Sequence, residues 1–389
     1  MHQSVSAIVI ERQQQLDAVL HEISGLETVM DGIKNLHQQL VEKKDRITRS
    51  MNVHKGFISS LWRLPTEIVS QIFDHCLPDD SCLLSPTMSH APVLLTKICR
   101  RWREFAVGTP RLWCRLYVYD TSDWQRAAVC YDSWLKRSRG CPLSLELDRY
   151  ANDLTKLRRL FQPYVNQISS LSIHLYLYEE KKTEILLKDL PKDLPALSEV
   201  TIITNFERIT PSTAQSISQL PSTLRSLKVT GSSFRVFDAE HLSSFDPVWA
   251  RVADVEIAVH HPNAFLHLLK LCPNLTSLKV RVHRDPVEIL EPFTHTEIRS
   301  LFISFSFVRP AFRLFDALSL PSLRVLEARY IRTWPHEQFK AFLARSKCPL
   351  ERLTFGSLNM MVVEQHAEYV DLFPSLEVIV VDQKRTSFA

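Results

Sequence analysis

Hydrophobic positions recur along this chain with three different periods, and each period predicts a different element. Counting in sevens from Leu16, one seam position holds Leu16, Ile23, Met30, His37 and Lys44, and the other holds Val19, Leu26, Ile33, Leu40 and Ile47. All but His37 and Lys44 are apolar, which is the pattern of a coiled-coil helix of about five heptads. It predicts a long helix over residues 1–50 that self-associates, recruits a partner or folds back on the rest of the chain. His37 and Lys44 lower the stability of the seam and can fix its register. Gly25 and Gly32 lie off the seam, each costing roughly 1 kcal/mol of helix propensity.

The second pattern has the 3.6-residue period. After Pro65, which suits the first turn of a helix, Ile68, Val69, Ile72, Phe73, Cys76 and Leu77 make one wide apolar face, with Glu67 near the positive end of the helix dipole. Leu94, Leu95, Ile98, Cys99, Trp102, Phe105 and Ala106 repeat it, with Lys97, Arg100, Arg101 and Arg103 on the other side, and Gly108, Thr109 and Pro110 end the helix. Two or three short helices cannot bury a stable core unaided, so residues 60–115 should pack on something else.

From residue 116 to 389 the period becomes that of a repeat. Ten segments align on Leu145, Leu171, Val200, Leu227, Val255, Leu278, Leu301, Leu326, Leu353 and Ile379, at spacings of 23 to 29 residues. In most of them one apolar residue lies three positions before the anchor and another two after it. Alternate residues of a strand point the same way, so anchors stack inward and the residues between them face out. Helical patterns separate several strands, at Ala264 to Leu271, Phe312 to Leu318, His336 to Arg345 and Val362 to Leu372. The expectation is an α/β solenoid with a parallel sheet on its concave face.

The phrasing of these segments resembles leucine-rich repeats, though of an irregular kind. Where regular repeats carry asparagine stand Tyr176, Asn205, Ser232, His260, His283, Ser306 and Ile331. A non-repeating α/β fold with chance L-x-x-L phrases is the alternative. Outward rows would carry Lys228, Glu256, Lys279, Phe302, Glu327 and Thr354, then Thr230, Ala258, Arg281, Ser304, Arg329 and Gly356. Lys228, Lys279, Arg281 and Arg329 would cluster beside Phe302 on rungs about 4.8 Å apart, a face suited to an acidic or phosphorylated segment. Glu256 and Glu327 would neutralise part of that charge, and the alternative is a solvated polar face.

Composition sets the bounds. The chain has 389 residues, 45% hydrophobic and 23% charged, with a net charge of +4, which gives no sign of a nucleic-acid protein. Residues 1–15 contain Arg12 but no basic run, so a basic zipper is not expected, and Arg100, Arg101 and Arg103 fit the solvated back of a helix. There is no apolar signal core or membrane stretch, which predicts a cytoplasmic or nuclear protein and makes the Asn274-Leu-Thr276 sequon incidental. The eight cysteines include no C-x-x-C pair, so neither a disulfide framework nor a zinc ribbon is expected.

Catalytic motifs are missing from the sequence. Seven glycines, none closer together than Gly25 and Gly32, allow no Walker loop or G-x-G-x-x-G, and neither H-E-x-x-H nor G-x-S-x-G occurs. His260 and His283 stand at equivalent positions of adjacent repeats, but two histidines without a further ligand make a poor metal site. No metal or cofactor is expected, and a hydrolase is disfavoured.

Leu64-Pro65, Glu67-Ile68, Ile98-Cys99-x-x-Trp102-Arg103 and Pro110-x-Leu112-Trp113 occur in an order that resembles an F-box over roughly 50 residues. The resemblance implies docking on a Skp-type adaptor of a cullin–RING ubiquitin ligase. By position, the adaptor contacts would be Leu64, Pro65, Ile68, Ile72, Leu95, Ile98, Cys99 and Trp102. It also implies a repeat domain that holds a protein substrate, here through Lys228, Lys279, Arg281, Phe302 and Arg329. The connection Pro78 to Pro92 is longer than that of a compact F-box, leaving the placement of the two helices open. The expectation is therefore a non-catalytic substrate receptor that does not bind nucleic acid or membrane and can form a homodimer through residues 1–50. The alternative is a coiled-coil and repeat scaffold without ligase function.

Overall fold

The computed structural model describes residues 2–58, 64–78, 85–86, 90–119, 121, 123–148, 154–175, 194–204, 217–231, 237–283, 290–305, 312–331, 334–357, 368–369, 373 and 376–380. These divide into two compact units, residues 1–71 and 72–389, with the division falling inside the helix Thr66–His75.

The first unit is dominated by one helix, α1 (His2–Ile58), which outruns the expected residues 1–50. Its seam is uncovered: Leu16, Ile23, Leu26, Ile33 and Leu40 are all exposed, Leu26 by 69%. Leu64 is half-buried and Pro65 exposed, and the carbonyl of Pro65 accepts from the Val69 N–H at 3.1 Å to open α2 (Thr66–His75).

Among the described residues, the second unit is built on eleven parallel strands that pair in chain order. They are β1 (Arg115–Tyr119), β2 (Leu143–Asp148), β3 (Ile168–Leu175), β4 (Glu199–Thr204), β5 (Ser226–Thr230), β6 (Asp254–Val259), β7 (Ser277–Val282), β9 (Ser300–Phe305), β11 (Val325–Ile331), β12 (Arg352–Ser357) and β13 (Glu377–Val380). Two short strands, β8 (Phe293–Thr294) and β10 (Leu318–Ser319), pair apart from them. Each parallel neighbour requires a crossover, which is why the strands recur at the repeat spacing instead of in hairpins. The arrangement is solenoid-like.

The register follows the anchors. Leu145, Leu171, Val200, Leu227, Val255, Leu278, Leu301, Leu326 and Leu353 lie opposite one another across successive strands, each exposed by 1% or less. A recurring staple fixes it. Two consecutive N–H groups donate to one carbonyl of the preceding rung: Ala253 and Asp254 to Arg225, Thr276 and Ser277 to Ala253, Arg299 and Ser300 to Thr276. Thr276 Oγ1 adds a bond to Ala253 O at 2.9 Å, satisfying turn carbonyls that a stacked fold would otherwise bury unpaired.

Three expectations need correction. Leu353 pairs with Val378, so the last anchor is Val378, and Ile379 falls opposite Thr354 in the outward row, 37% exposed. The run Val378-Ile-Val-Val381 is apolar at every position, so alternation could not choose its register. An additional strand, β1, precedes the first expected repeat and places Leu116 opposite Leu145. Finally, the helix expected over Leu94–Ala106 is broken at Cys99, whose extended backbone (φ −156°, ψ 171°) separates α3 (Leu95–Ile98) from α4 (Arg100–Gly108).

Helices stand at three of the four helical patterns of the repeat region, as Pro262–Leu271, Phe312–Ala317 and His336–Ser346. Most of the pattern at 362–372, most of the connection 78–92, and Tyr176, Asn205, Ser232 and Ser306 lie outside the described residues. The helix Trp124–Leu135 is not among the expected ones. It starts at an N-cap, Asp123, whose carboxylate accepts from the Arg126 N–H at 3.2 Å, and buries Tyr131, Trp134 and Leu135.

Candidate docking module and repeat face

Sequence chemistry places the break at Cys99. Its thiol accepts from the Trp102 N–H at 3.4 Å and its carbonyl from the Arg103 N–H at 3.0 Å, so it serves as the N-cap of α4. Arg103 Nε reaches back to the carbonyl of Thr96 at 2.8 Å, holding α3 against α4. Trp102 is half-buried and meets the buried Phe73 ring at 4.9 Å. Lys97, Arg100 and Arg103 are exposed, and Arg100 pairs with Glu104 at 2.8 Å.

Beyond α4, Trp113 is fully buried. Its indole N–H donates to Ala106 O at 2.7 Å, and Arg137 lies 4.5 Å above its ring. These contacts join the end of α4 to the turn Lys136–Ser138 that follows the helix Trp124–Leu135.

The candidate adaptor residues divide by exposure. In the first unit Pro65 and Ile68 are exposed, Ile68 by 41%, and Leu64 is half-buried. In the second, Ile98 is 53% exposed, Ile72, Cys99 and Trp102 are half-buried, and Leu95 is 3% exposed. Leu95 is therefore a packing residue of its module. The apolar residue shown outward one turn before Ile98 is Leu94, at 43%. Helical periodicity allowed either leucine on the wide apolar face, and only the break at Cys99 separates them.

On the sheet, the outward row runs Tyr117, Glu146, Ser172, Thr201, Lys228, Glu256, Lys279, Phe302, Glu327, Thr354 and Ile379. Its two lysines, and Arg329 of the second row, are compensated. Lys228 Nζ bonds Glu199 Oε1 at 2.5 Å, Lys279 Nζ lies 2.6 Å from Glu256 Oε1, and Arg329 pairs with Glu327. Burial pushes the Lys228 ammonium down, but the hydrogen bond and charge of Glu199, with Asp254 and Glu256 nearby, outweigh it and hold its pKa above the ordinary lysine value. Lys279 and Arg329 flank Phe302, at 5.3 and 5.6 Å from its ring centre.

The second row is less open than expected. Arg281 is half-buried, while Ala258 and Ser304 are 5% and 3% exposed. Beside Ala258 the reason is visible: Phe237 N–H donates to Ala258 O at 3.0 Å and Phe237 pairs with Val259, so this segment occupies the slot past the end of β5.

That same segment reaches His260, one of the two histidines that stand at equivalent positions of adjacent repeats. The His260 N–H donates to Phe237 O at 3.1 Å, which brings Asp238 Oδ1 to 3.3 Å from His260 Nδ1. His260 Nδ1 also lies 2.7 Å from His261 Nε2. Asp238, His260 and His261 converge as a group of metal-ligand type, and His283 is not part of it. Their spacing also suits direct hydrogen bonding between the two rings. Separately, a cleft of about 490 Å³ is lined by Ser222, Arg225, Arg251 and Asn274. Arg225 donates to the carbonyls of Ser222 and Leu224, and Arg251 donates to that of Leu220.

Comparison with known proteins returned no matching family model and no matching curated protein. Among the described residues, no helix is long and apolar enough to cross a membrane.

Proposed function

We propose that this chain is a substrate receptor of an SCF-type cullin–RING ubiquitin ligase. It binds a Skp-type adaptor through the F-box-like residues and a protein substrate through irregular leucine-rich repeats, with a cytoplasmic or nuclear location. The observation that carries the reading is the outward apolar pair Leu94 and Ile98 on a module that buries Phe73, Leu95 and Ala106. Small helical modules that leave aliphatic residues uncovered next to a packed core are suited to docking on another protein. In this reading Ile68 and Ile98 make adaptor contacts, Leu95 and Trp102 hold the module's shape, and the ubiquitin chemistry belongs to other subunits.

The repeats supply the substrate surface. With Lys228, Lys279 and Arg329 paired to carboxylates, that surface selects by shape and by Phe302 more than by net charge. The uncovered seam of α1 favours a second reading, a coiled-coil scaffold outside any ligase. Co-purification with a Skp-type adaptor separates the two.

A further inference from the structure

The uncovered seam of α1 carries charges that choose a partner and a direction. We propose that α1 pairs with α1 of a second copy as an antiparallel coiled coil centred between Asp31 and Gly32. This goes beyond the receptor reading and does not depend on it.

The residues flanking the seam decide the direction. With Leu16, Ile23, Met30, His37 and Lys44 at one core position, Glu22, Val29, Leu36 and Lys43 fall on one flank. Leu20, Glu27, Lys34 and Val41 fall on the other. Flanking charges set orientation in coiled coils because they meet across the interface.

In a parallel, in-register pair, Glu22 of one copy would face Glu27 of the other. His37 and Lys44 would each meet themselves inside the seam, where like charges and polar groups are costly.

Turning the second helix around removes all three conflicts. About the stated centre, Glu27 meets Lys34 of the second copy, Glu22 meets Lys43, Leu20 meets Val41 and Val29 meets Leu36. Inside the seam Ile23 layers on Leu40 and Met30 on Ile33, while His37 and Lys44 face Leu26 and Val19. Sliding by one heptad in either direction brings Lys34 onto Lys34 or Glu27 onto Glu27, so the charges also select the register. The residues concerned are exposed, Val41 excepted at half-buried, and so can enter an interface. Lys34 has an exposed intrahelical partner, Asp31, at 3.0 Å, a pair weak enough to exchange. Gly25 and Gly32 lie on the outer side. At 1.5 Å per residue the Ile58 ends of the two helices would lie about 80 Å apart, at opposite ends of the coiled coil.

The test uses the full chain in sedimentation equilibrium. Wild type should sediment at twice the 45.0 kDa chain mass. Glu27→Lys should weaken the dimer on the order of tenfold, because each new lysine would face Lys34 of the other copy, and Glu27→Lys combined with Lys34→Glu should restore it. In a parallel dimer Glu27→Lys would instead tighten association by relieving the Glu22 clash. A tighter or unchanged Glu27→Lys dimer, a double variant that fails to recover, a monomeric wild type, or a trimer or larger species would each overturn the proposal.

Discussion

The indole N–H of Trp134 donates to the carbonyl of Trp113 at 3.0 Å, and the two rings meet edge to face at 4.9 Å. The same N–H lies 3.1 Å from the carbonyl of Arg115. One buried donor thus ties the last turn of the helical module to the first residue of β1. Trp134→Phe keeps most of the apolar bulk but leaves buried carbonyls without their donor, and should cost about 1–3 kcal/mol in urea unfolding. Trp113→Ala removes the ring that packs both sides and should cost about 3–5 kcal/mol. The two changes should be non-additive in a double-mutant cycle, since they share one contact.

The break at Cys99 yields a prediction of opposite signs. Sulfur is a weak acceptor, and serine is among the best N-cap residues, so Cys99→Ser should be neutral or stabilising. Cys99→Val removes the acceptor and should cost about 1 kcal/mol. Thermal melts of the full chain read both; equal destabilisation by the two variants would show that the thiol matters for packing instead.

Much of the repeat domain was legible because inward leucines recur with a fixed spacing, and a parallel ladder requires them to align. Leu145 through Leu353 carry that signal unaided. It failed where the pattern lost contrast: at Val378 to Val381 every residue is apolar, and at β1 no preceding repeat gives Leu116 a phase. The cap at Cys99 was hidden because helical periodicity runs straight through it. Pairing of Lys228 with Glu199 was invisible for another reason: the carboxylate sits one row away on the neighbouring strand, so only the register brings them together.

The compensated face makes a specific binding prediction. Wild type should bind an acidic peptide no better than a neutral one of the same length. Changing Glu199, Glu256 and Glu327 to Gln together should uncover the three cations and produce salt-sensitive binding of the acidic peptide. Strong discrimination by wild type, read by fluorescence anisotropy, would mean that a basic site operates despite the carboxylates.

Tyr164 gives a pH dependence. Its hydroxyl donates to Asp132 Oδ1 at 2.9 Å, and burial first, then this bond and the nearby negative charge, push its pKa up to about 12 from an ordinary value of 10. The folded state holds the proton more tightly than the unfolded one. The contribution is therefore fully present below pH 10 and is lost as pH rises to about 12. Tyr164→Phe should cost about 1 kcal/mol at neutral pH and flatten this part of the stability profile, as measured by urea unfolding across the alkaline range.

The most direct test of the receptor account is co-expression with a Skp-type adaptor, followed by affinity purification and gel filtration. Wild type is compared with the exposed-site variants Ile68→Glu and Ile98→Glu, each checked for native circular dichroism. The account predicts a one-to-one complex with wild type and its loss in both folded variants. A folded wild type that never retains the adaptor would contradict it and leave the scaffold reading.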